Sequence, residues 1–196
     1  KSLCTQARKQ TKVGKNLMEK LTIREIAQAL NIPCPGEGEV TGICTDSREV
    51  TPGCLFVAIP GERVDGHDFI RAAVEQGAAC ALAQRPGDYP AGRVLMVENT
   101  VDAMLALAAW YRDRMPARVV GITGSVGKTT TKEMVAAVLS ARFRTIKTQG
   151  NQNNEIGAPR TLFSIDRDTQ AAVVEMGMSG FGEIRDLALA AKPEIG

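Results

Sequence analysis

The chain has 196 residues, of which 44% are hydrophobic and 23% charged, a composition typical of a globular protein with one large or two small domains. Its formal net charge of +2 gives no strongly basic footprint, so we expect no nucleic-acid partner. No apolar run approaches the roughly 20 residues of a membrane-spanning helix, which predicts no membrane insertion. The five cysteines are widely spaced, without a Cys-x-x-Cys pair. This spacing favours reduced thiols in a cytoplasm over a zinc site or a disulfide framework.

The first part of the chain predicts a small α/β domain over residues 18–98. Residues 1–17 are basic and have no sustained period or signal-peptide core, so we interpret them as a disordered leader and Met18 as the natural start. Thr22-Ile23-Arg24-Glu25 is a capping box that predicts a short helix. The remaining predicted elements are strands over 40–44, 54–59, 79–83 and 93–97 and a helix from Phe69 to about Gly77.

A long amphipathic helix is predicted from Thr100 to Asp113, with Thr100 as its N-cap, and we expect residues 99–116 to link two domains. Its predicted apolar side consists of Met104, Leu105, Leu107 and Trp110, with Trp110 packed in the core. Pro116 marks the boundary to a second domain over residues 117–196.

The second domain is predicted to be a parallel sheet with crossover helices. Its predicted elements are a strand over 118–122, a helix over 128–140, strands over 143–147 and 171–175, and a helix over 181–190. The helix over 128–140 is predicted to carry Met134, Val135, Val138 and Leu139 on one apolar face, and an apolar segment follows the polar run 150–159. Three strands are few for a nucleotide-binding domain, and the last residues resemble the start of another strand. We therefore expect this domain to be incomplete.

A phosphate-binding loop is predicted between the first strand and the first helix of this domain. The residues that would cradle the phosphates are Thr123, Gly124, Ser125, Val126, Gly127, Lys128, Thr129 and Thr130. Lys128 would reach the β- and γ-phosphates of ATP, and the Thr129 hydroxyl would help to hold Mg²⁺. Ile122 replaces the first glycine of the strict motif. The alternative is a glycine-rich turn before a helix that merely carries Lys-Thr.

Glu175 ends the apolar strand 171–174 in the same domain, where ligands of open α/β sheets bind. A carboxylate there could hold Mg²⁺ opposite Thr129, directly or through water. The alternative is a surface carboxylate at a strand end.

Three further motifs are weaker on their own. The asparagine-rich run 150–159 offers donors and acceptors for sugar, amide or phosphate groups, or it forms a plain turn and N-cap. Ser47 and Arg48 bring a hydroxyl beside a guanidinium suited to a diphosphate, although the local sequence by itself favours a capping or turn role. His67 is the single histidine, and a histidine without a paired nucleophile suits a structural or substrate-orienting role.

Taken together, these motifs resemble the Mur ligase superfamily, the ATP-dependent amide ligases of peptidoglycan precursor synthesis. The loop 123–131 resembles their ATP loop, and two later stretches resemble the MurF branch, namely 150–159 and 174–178. Three stretches resemble the UDP-binding first domain of the MurE and MurF branches, namely 45–48, 52–58 and 65–69.

The resemblance implies an enzyme that joins D-alanyl-D-alanine to UDP-N-acetylmuramoyl-tripeptide through an acyl phosphate, with ATP and Mg²⁺. It implies that Lys128 and Glu175 are catalytic and that Thr129 and Glu175 hold the metal ion. The implied substrate-binding residues are Ser47, Arg48, Asp65, Gly66, His67, Asn151 and Asn154. The fold implied is a small UDP-binding α/β domain followed by a truncated P-loop ATPase domain with a parallel sheet. We expect a cytoplasmic monomer.

The resemblance covers residues 18–196, about the first two-fifths of such an enzyme by the family's three-domain size. The family's metal-site histidine, its commonly carbamylated lysine and its C-terminal domain would lie beyond Gly196. We therefore expect no ligase turnover from this chain alone. Two alternatives remain: a UDP-sugar- or nucleotide-binding module without catalysis, and a MurE-type or folylpolyglutamate-synthase-like ligase.

Overall fold

The computed structural model describes residues 18–61 and 63–196. The disordered leader predicted over residues 1–17 lies outside the described residues. The helices are α1 (Ile23–Ala29), α2 (Ile70–Glu75), α3 (Thr100–Arg112), α4 (Lys128–Ser140), α5 (Gly157–Phe163) and α6 (Glu183–Ala191). The strands are β1 (Leu21–Thr22), β2 (Glu39–Val40), β3 (Gly42–Cys44), β4 (Cys54–Val57), β5 (Cys80–Ala83), β6 (Val94–Met96), β7 (Arg118–Ile122), β8 (Thr145–Lys147) and β9 (Ala171–Glu175).

The first unit is built on a parallel sheet in the order β3-β4-β5-β6. Strands β4 and β5 are apolar along their whole length because both faces of this sheet are buried. The single strand predicted over 40–44 is wrong. Val40 pairs with Leu21 in the antiparallel β1-β2 ribbon, whereas Gly42 pairs with Cys54, so the chain changes sheets at Thr41.

Local hydrogen bonds decide where two helices begin. The predicted capping box of α1 is confirmed, because Thr22 Oγ1 accepts from the Glu25 N–H (3.1 Å) and the Glu25 carboxylate accepts from the Thr22 N–H (2.8 Å). The predicted N-cap of α3 is wrong by one residue. Asn99 has the extended backbone of an N-cap, and its Oδ1 accepts from the Val101 N–H at 2.8 Å. The Thr100 hydroxyl instead donates to the Ala58 carbonyl at 2.9 Å.

Helix α3 lies at the centre of the molecule rather than in an exposed linker. It packs against α1 and β4 of the first unit and against α5 and α6 of the second. Met104, Leu107 and Tyr111 are fully buried in one continuous apolar core. Trp110 packs on that core but is only half-buried, and the Arg114 guanidinium lies 4.4 Å from its ring centre. The two units therefore share their packing through α3.

The second unit contains the predicted parallel sheet, in the order β7-β9-β8. The predicted strand start after the last helix is confirmed, since the Gly121 N–H donates to the Ile195 carbonyl at 2.8 Å. Helix α5 lies within a stretch for which the sequence predicted only an apolar segment. Within the described residues, no helix is both long and apolar enough to cross a membrane.

The predicted apolar face of α4 is wrong for two of its four residues. Met134 is 65% exposed and Val138 is 74% exposed. The helix instead turns Lys132 and Ala136 towards the sheet, and both are buried. The side of α4 that faces the interior therefore carries a charged residue, Lys132.

Candidate active site

The predicted strand–loop–helix arrangement is confirmed. Strand β7 ends at Ile122 and α4 begins at Lys128, so residues 123–127 form the loop between them. Gly124 and Gly127 have φ angles of +138° and +78°, which favour glycine, and nothing lies within 4 Å of a Cβ built at Gly127. Glycine is thus required there by backbone conformation rather than by space.

The loop presents free backbone donors at the beginning of α4. Gly127 occupies the N-cap position without a side-chain cap, so the first N–H groups of the helix remain available to an anion. Most of the predicted phosphate-binding residues are exposed, namely Thr123, Gly124, Ser125, Val126, Gly127, Thr129 and Thr130. Lys128 is half-buried and its ammonium donates to the Gly124 carbonyl at 2.8 Å, which folds the lysine back over the loop.

Glu175 lies directly beside this loop. The register of β7 and β9 places it opposite Ile122, the last residue before the loop. Only 2% of its side chain is exposed, which excludes the alternative of a surface carboxylate. Both carboxylate oxygens lie 3.3 Å from Thr129 Oγ1, and the Glu175 N–H donates to Thr148 Oγ1 at 3.0 Å. The predicted meeting of Thr129 and Glu175 is therefore confirmed.

Two residues that sequence reasoning missed complete the surroundings of Glu175. The Lys132 ammonium lies 3.2 Å from Glu175 Oε2, and Asn153 Nδ2 donates to Glu175 Oε1 at 2.8 Å. Lys132 stands three residues after Thr129 on one helix face, a spacing that the sequence does contain. Asn153 carries no such signal, because its position depends on the path of the chain between β8 and α5.

The oxygen ligands at this edge suit Mg²⁺ that is shared with a bound phosphate. Mg²⁺ prefers hard oxygen ligands and is commonly held by one or two carboxylates together with substrate phosphates and water. Thr129 Oγ1 and the Glu175 carboxylate provide such oxygens. Among residues 18–61 and 63–196, no three His, Cys, Asp or Glu side chains gather closely enough to hold a metal ion by themselves. The side chains present therefore fit a nucleotide-bound Mg²⁺.

The asparagine-rich segment lies next to Glu175 at the end of β9. The contact is made by Asn153 rather than by the predicted Asn151 or Asn154. The Gly177 N–H, just after β9, donates to the Asn153 carbonyl at 2.7 Å. Asn154 Oδ1 accepts from the Gly157 N–H at 2.9 Å, which is the turn role that the alternative interpretation expected. Asn151 is exposed. The substrate-binding roles of Asn151 and Asn154 stay predictions.

Ser47 and Arg48 lie in an exposed turn of the first unit. The Arg48 side chain is 87% exposed, and its Nε donates to Asp46 Oδ1 at 2.9 Å. Hydrogen bonds from Arg48 lower the pKa of Asp46 to about 2. Glu49, the last residue of this turn, forms a 2.9 Å ion pair with Arg160 of α5. The turn is therefore fixed to the second unit, while Arg48 keeps solvent access.

His67 is a buried residue with both ring nitrogens occupied. Its Nε2 accepts the Gln84 N–H at 3.1 Å, so the proton lies on Nδ1, which donates to Asp65 Oδ1 at 2.6 Å. A Cβ built at Gly66 would lie 2.6 Å from the backbone nitrogen of Ile59, so only glycine fits there. These contacts support the structural interpretation of His67, and the roles of Asp65, Gly66 and His67 in substrate binding stay predictions.

The cysteines show one contact that their spacing in the sequence did not indicate. Cys44 and Cys54 are free thiols on neighbouring strands β3 and β4, and their Sγ atoms lie 3.2 Å apart in the core. The hydrogen bond with Cys54, together with burial, raises the pKa of Cys44.

Comparison with protein families identifies the group to which the chain belongs. Residues 39–125 match the model described as "Mur ligase family, catalytic domain", and residues 122–196 match the "Mur ligase middle domain". The chain belongs to the Mur ligase family. The two matches overlap at residues 122–125, where β7 ends and the glycine loop begins.

Two curated relatives carry the same functional name. The chain is 46% identical over 159 residues to the UDP-N-acetylmuramoyl-tripeptide--D-alanyl-D-alanine ligase of Synechocystis, covering 80% of this chain and 35% of that ligase. It is 44% identical over 179 residues to the ligase of the same name from Escherichia coli, covering 90% of this chain and 39% of the relative. The chain thus spans less than half the length of the relatives it matches.

Solved structures of Mur ligases share the fold. A UDP-N-acetylmuramoylalanyl-D-glutamyl-2,6-diaminopimelate--D-alanyl-D-alanyl ligase from Acinetobacter baumannii superimposes with a TM-score of 0.81 and 35% identity, covering 92% of this chain and 41% of that one. MurF from Thermotoga maritima, in complex with ADP, gives a TM-score of 0.72 and 38% identity, covering 78% of this chain and 35% of that one. These similarities confirm the predicted α/β fold and the resemblance to the MurF branch.

Proposed function

We propose that this chain is the part of an ATP-dependent ligase that binds the UDP-linked substrate and ATP. The reaction is the joining of D-alanyl-D-alanine to UDP-N-acetylmuramoyl-tripeptide, as in the name shared by the curated relatives. The observation that carries the proposal is the contact of Glu175 with Thr129 directly beneath a glycine loop that opens a helix. A phosphate cradle with a buried carboxylate at its base suits a reaction that transfers a phosphoryl group.

Each residue of the site has a defined task under this proposal. The N–H groups at the start of α4 bind phosphate oxygens, and the Lys128 ammonium leaves the Gly124 carbonyl to neutralise the β- and γ-phosphates. Thr129 and Glu175 would hold Mg²⁺, which would offset negative charge on the transferred phosphoryl group. Because a carboxylate and an amine do not condense readily in water, the substrate carboxyl group must first receive a leaving group. The carboxylate oxygen therefore attacks the γ-phosphorus of ATP and ADP leaves, which gives an acyl phosphate. The amine of D-alanyl-D-alanine then attacks the acyl carbon, loses a proton and displaces phosphate, which leaves the amide.

The first unit would bind the UDP moiety. The exposed Arg48 guanidinium, beside Ser47, suits the diphosphate in charge and shape. The ion pair between Glu49 and Arg160 fixes this turn to α5, the helix that begins within the asparagine-rich segment. The turn at Ser47 and Arg48 and the segment 150–159 would then contact opposite ends of one bound substrate. The cytoplasmic location and the monomeric state stay predictions.

Direct binding of ATP tests the proposal. We expect the chain to bind ATP in the presence of Mg²⁺ by calorimetry. Lys128→Met should weaken binding at least tenfold, because a charge-assisted hydrogen bond contributes about 1.5–3 kcal/mol. Lys147→Met is the matched control, since Lys147 lies on β8 and contacts Glu133 rather than the loop. Absence of ATP binding, or equal affinity of Lys128→Met and the control, would contradict the proposal.

A further inference from the structure

Lys132 is a charged residue placed where a helix normally buries an apolar one. None of its side chain is exposed, and it is among the largest fully buried side chains of the described residues. A buried ammonium is strongly destabilising unless it is paired and hydrogen-bonded. Lys132 meets this requirement with two partners from different parts of the chain: the Glu175 carboxylate at 3.2 Å and the Gly150 carbonyl at 2.8 Å.

Lys132 and Asn153 together fix the orientation of the Glu175 carboxylate. Lys132 contacts Oε2, while the amide of Asn153 donates to Oε1 at 2.8 Å. Asn153 follows Gly150 by three residues, so the same ammonium that pairs with Glu175 also holds the turn from which Asn153 reaches it. With these two partners in place, both carboxylate oxygens remain 3.3 Å from Thr129 Oγ1.

Lys132 has no access to a ligand in this arrangement. Its side chain is completely enclosed, whereas Thr129 and Thr130 are exposed at the beginning of the same helix. Among residues 18–61 and 63–196, its one other charged partner is Glu133 at 3.7 Å, whose carboxylate also contacts Lys147 at the surface. Any effect of Lys132 on nucleotide binding must therefore act through Glu175 and the Gly150 turn.

We infer that Lys132 is a positioning residue that aims the Glu175 carboxylate at Thr129 and joins it to the turn at Gly150. Its role in metal binding rests on the proposed function. Without the ammonium, Glu175 loses its buried partner and the turn loses its anchor. The carboxylate is then no longer held where Mg²⁺ needs it, while the phosphate-binding N–H groups of the loop are unchanged.

A double-mutant cycle measures the pairing without any nucleotide. Lys132→Met should lower the folding equilibrium constant by about a hundredfold or more in urea unfolding, because it leaves a buried charge unpaired. In a Glu175→Gln background, Lys132→Met should lower the folding equilibrium constant less than tenfold, since no buried carboxylate is left without its partner. Lys147→Met, with its exposed ion pair, should stay close to the wild type. Equal effects of Lys132→Met in both backgrounds would overturn the inference. If Lys132→Met is unfolded, a folded double variant supports the pairing and an unfolded one refutes it.

Magnesium titrations separate positioning from a merely structural role. Adding Mg²⁺ should increase the affinity for ADP in both proteins. The Mg²⁺ concentration at which half of this increase is reached should be at least tenfold higher for Lys132→Met than for the wild type. Affinity for ADP in EDTA should stay within about twofold of the wild type, because the loop donors are intact. A magnesium requirement equal to that of Lys147→Met would overturn the inference. If the wild type binds no ADP at all, the proposed function fails and the double-mutant cycle alone decides the role of Lys132.

Discussion

Removing one buried hydroxyl group from the last turn of α3 should destabilise the whole chain. Tyr111 is fully buried, and its hydroxyl donates to the Ile165 carbonyl at 2.6 Å and accepts from the Glu19 N–H at 2.9 Å. Tyr111→Phe keeps the ring, which packs against Phe163 with ring centres 5.5 Å apart, but strands both hydrogen-bonding partners. A buried partner left unsatisfied costs about 1–3 kcal/mol. Part of this cost is offset because phenylalanine has no hydroxyl to desolvate, so we expect a loss of about 2–3 kcal/mol.

Urea unfolding at neutral pH measures this loss, and calorimetry should show Tm lower by about 5–10 °C, from roughly 2–4 °C per kcal/mol in a domain of this size. Tyr89→Phe is the matched control, because its hydroxyl donates to the Arg85 carbonyl at an exposed site. It should change stability by less than about 0.5 kcal/mol. Burial raises the pKa of Tyr111 to about 12. The difference between wild type and Tyr111→Phe should therefore be constant below about pH 10 and shrink as pH rises towards 12. A Tyr111→Phe protein as stable as Tyr89→Phe would refute the reasoning.

Three further predictions concern the turn at Asp65 and Gly66 and the surroundings of Glu175. Gly66→Ala should lower the free energy of unfolding in urea by about 1–3 kcal/mol, because the added Cβ would lie 2.6 Å from a backbone atom. Gly42→Ala is the control and should cost far less, because nothing lies within 4 Å of a Cβ there. Equal losses would contradict the steric argument. A backbone hydrogen bond from His67 lowers the pKa of Asp65, so the stability it provides is present above about pH 4 and is lost as pH falls further. The stability difference between the wild type and Asp65→Asn should therefore shrink as pH falls below about 4, and a difference that stays constant from about pH 5 to about pH 2 would contradict this. Asn153→Ala should reduce the gain in ADP affinity on adding Mg²⁺ about threefold to tenfold by calorimetry, through loss of a charge-assisted hydrogen bond; an unchanged gain would exclude that role.

Local patterns predicted the elements that depend on neighbouring residues. The apolar strand, glycine loop and helix start from Val119 to Lys128 follow from short-range preferences, and so does the capping box at Thr22. Strand ends of a parallel sheet lie at one edge, which is why Glu175 could be placed beside Thr129 from sequence order alone.

Long-range contacts explain what the sequence did not predict. Hydrophobic periodicity assigned Met134 to the buried side of α4, but the carboxylate at the end of β9 draws Lys132 inwards and leaves Met134 outside. The N-cap of α3 is Asn99 rather than the predicted Thr100, because the Thr100 hydroxyl donates to the Ala58 carbonyl in the first unit. Such partners lie tens of residues away, beyond the reach of any local pattern.

The magnesium dependence of nucleotide binding tests the pairing of Thr129 and Glu175 most directly. ADP affinity is measured by calorimetry with Mg²⁺ and with EDTA, for the wild type and for Glu175→Gln, after confirming that both are folded. We predict that Mg²⁺ strengthens binding to the wild type at least tenfold and to Glu175→Gln less than twofold, since the neutral amide is a poor ligand for Mg²⁺. The same gain in both proteins would contradict a metal site at Glu175.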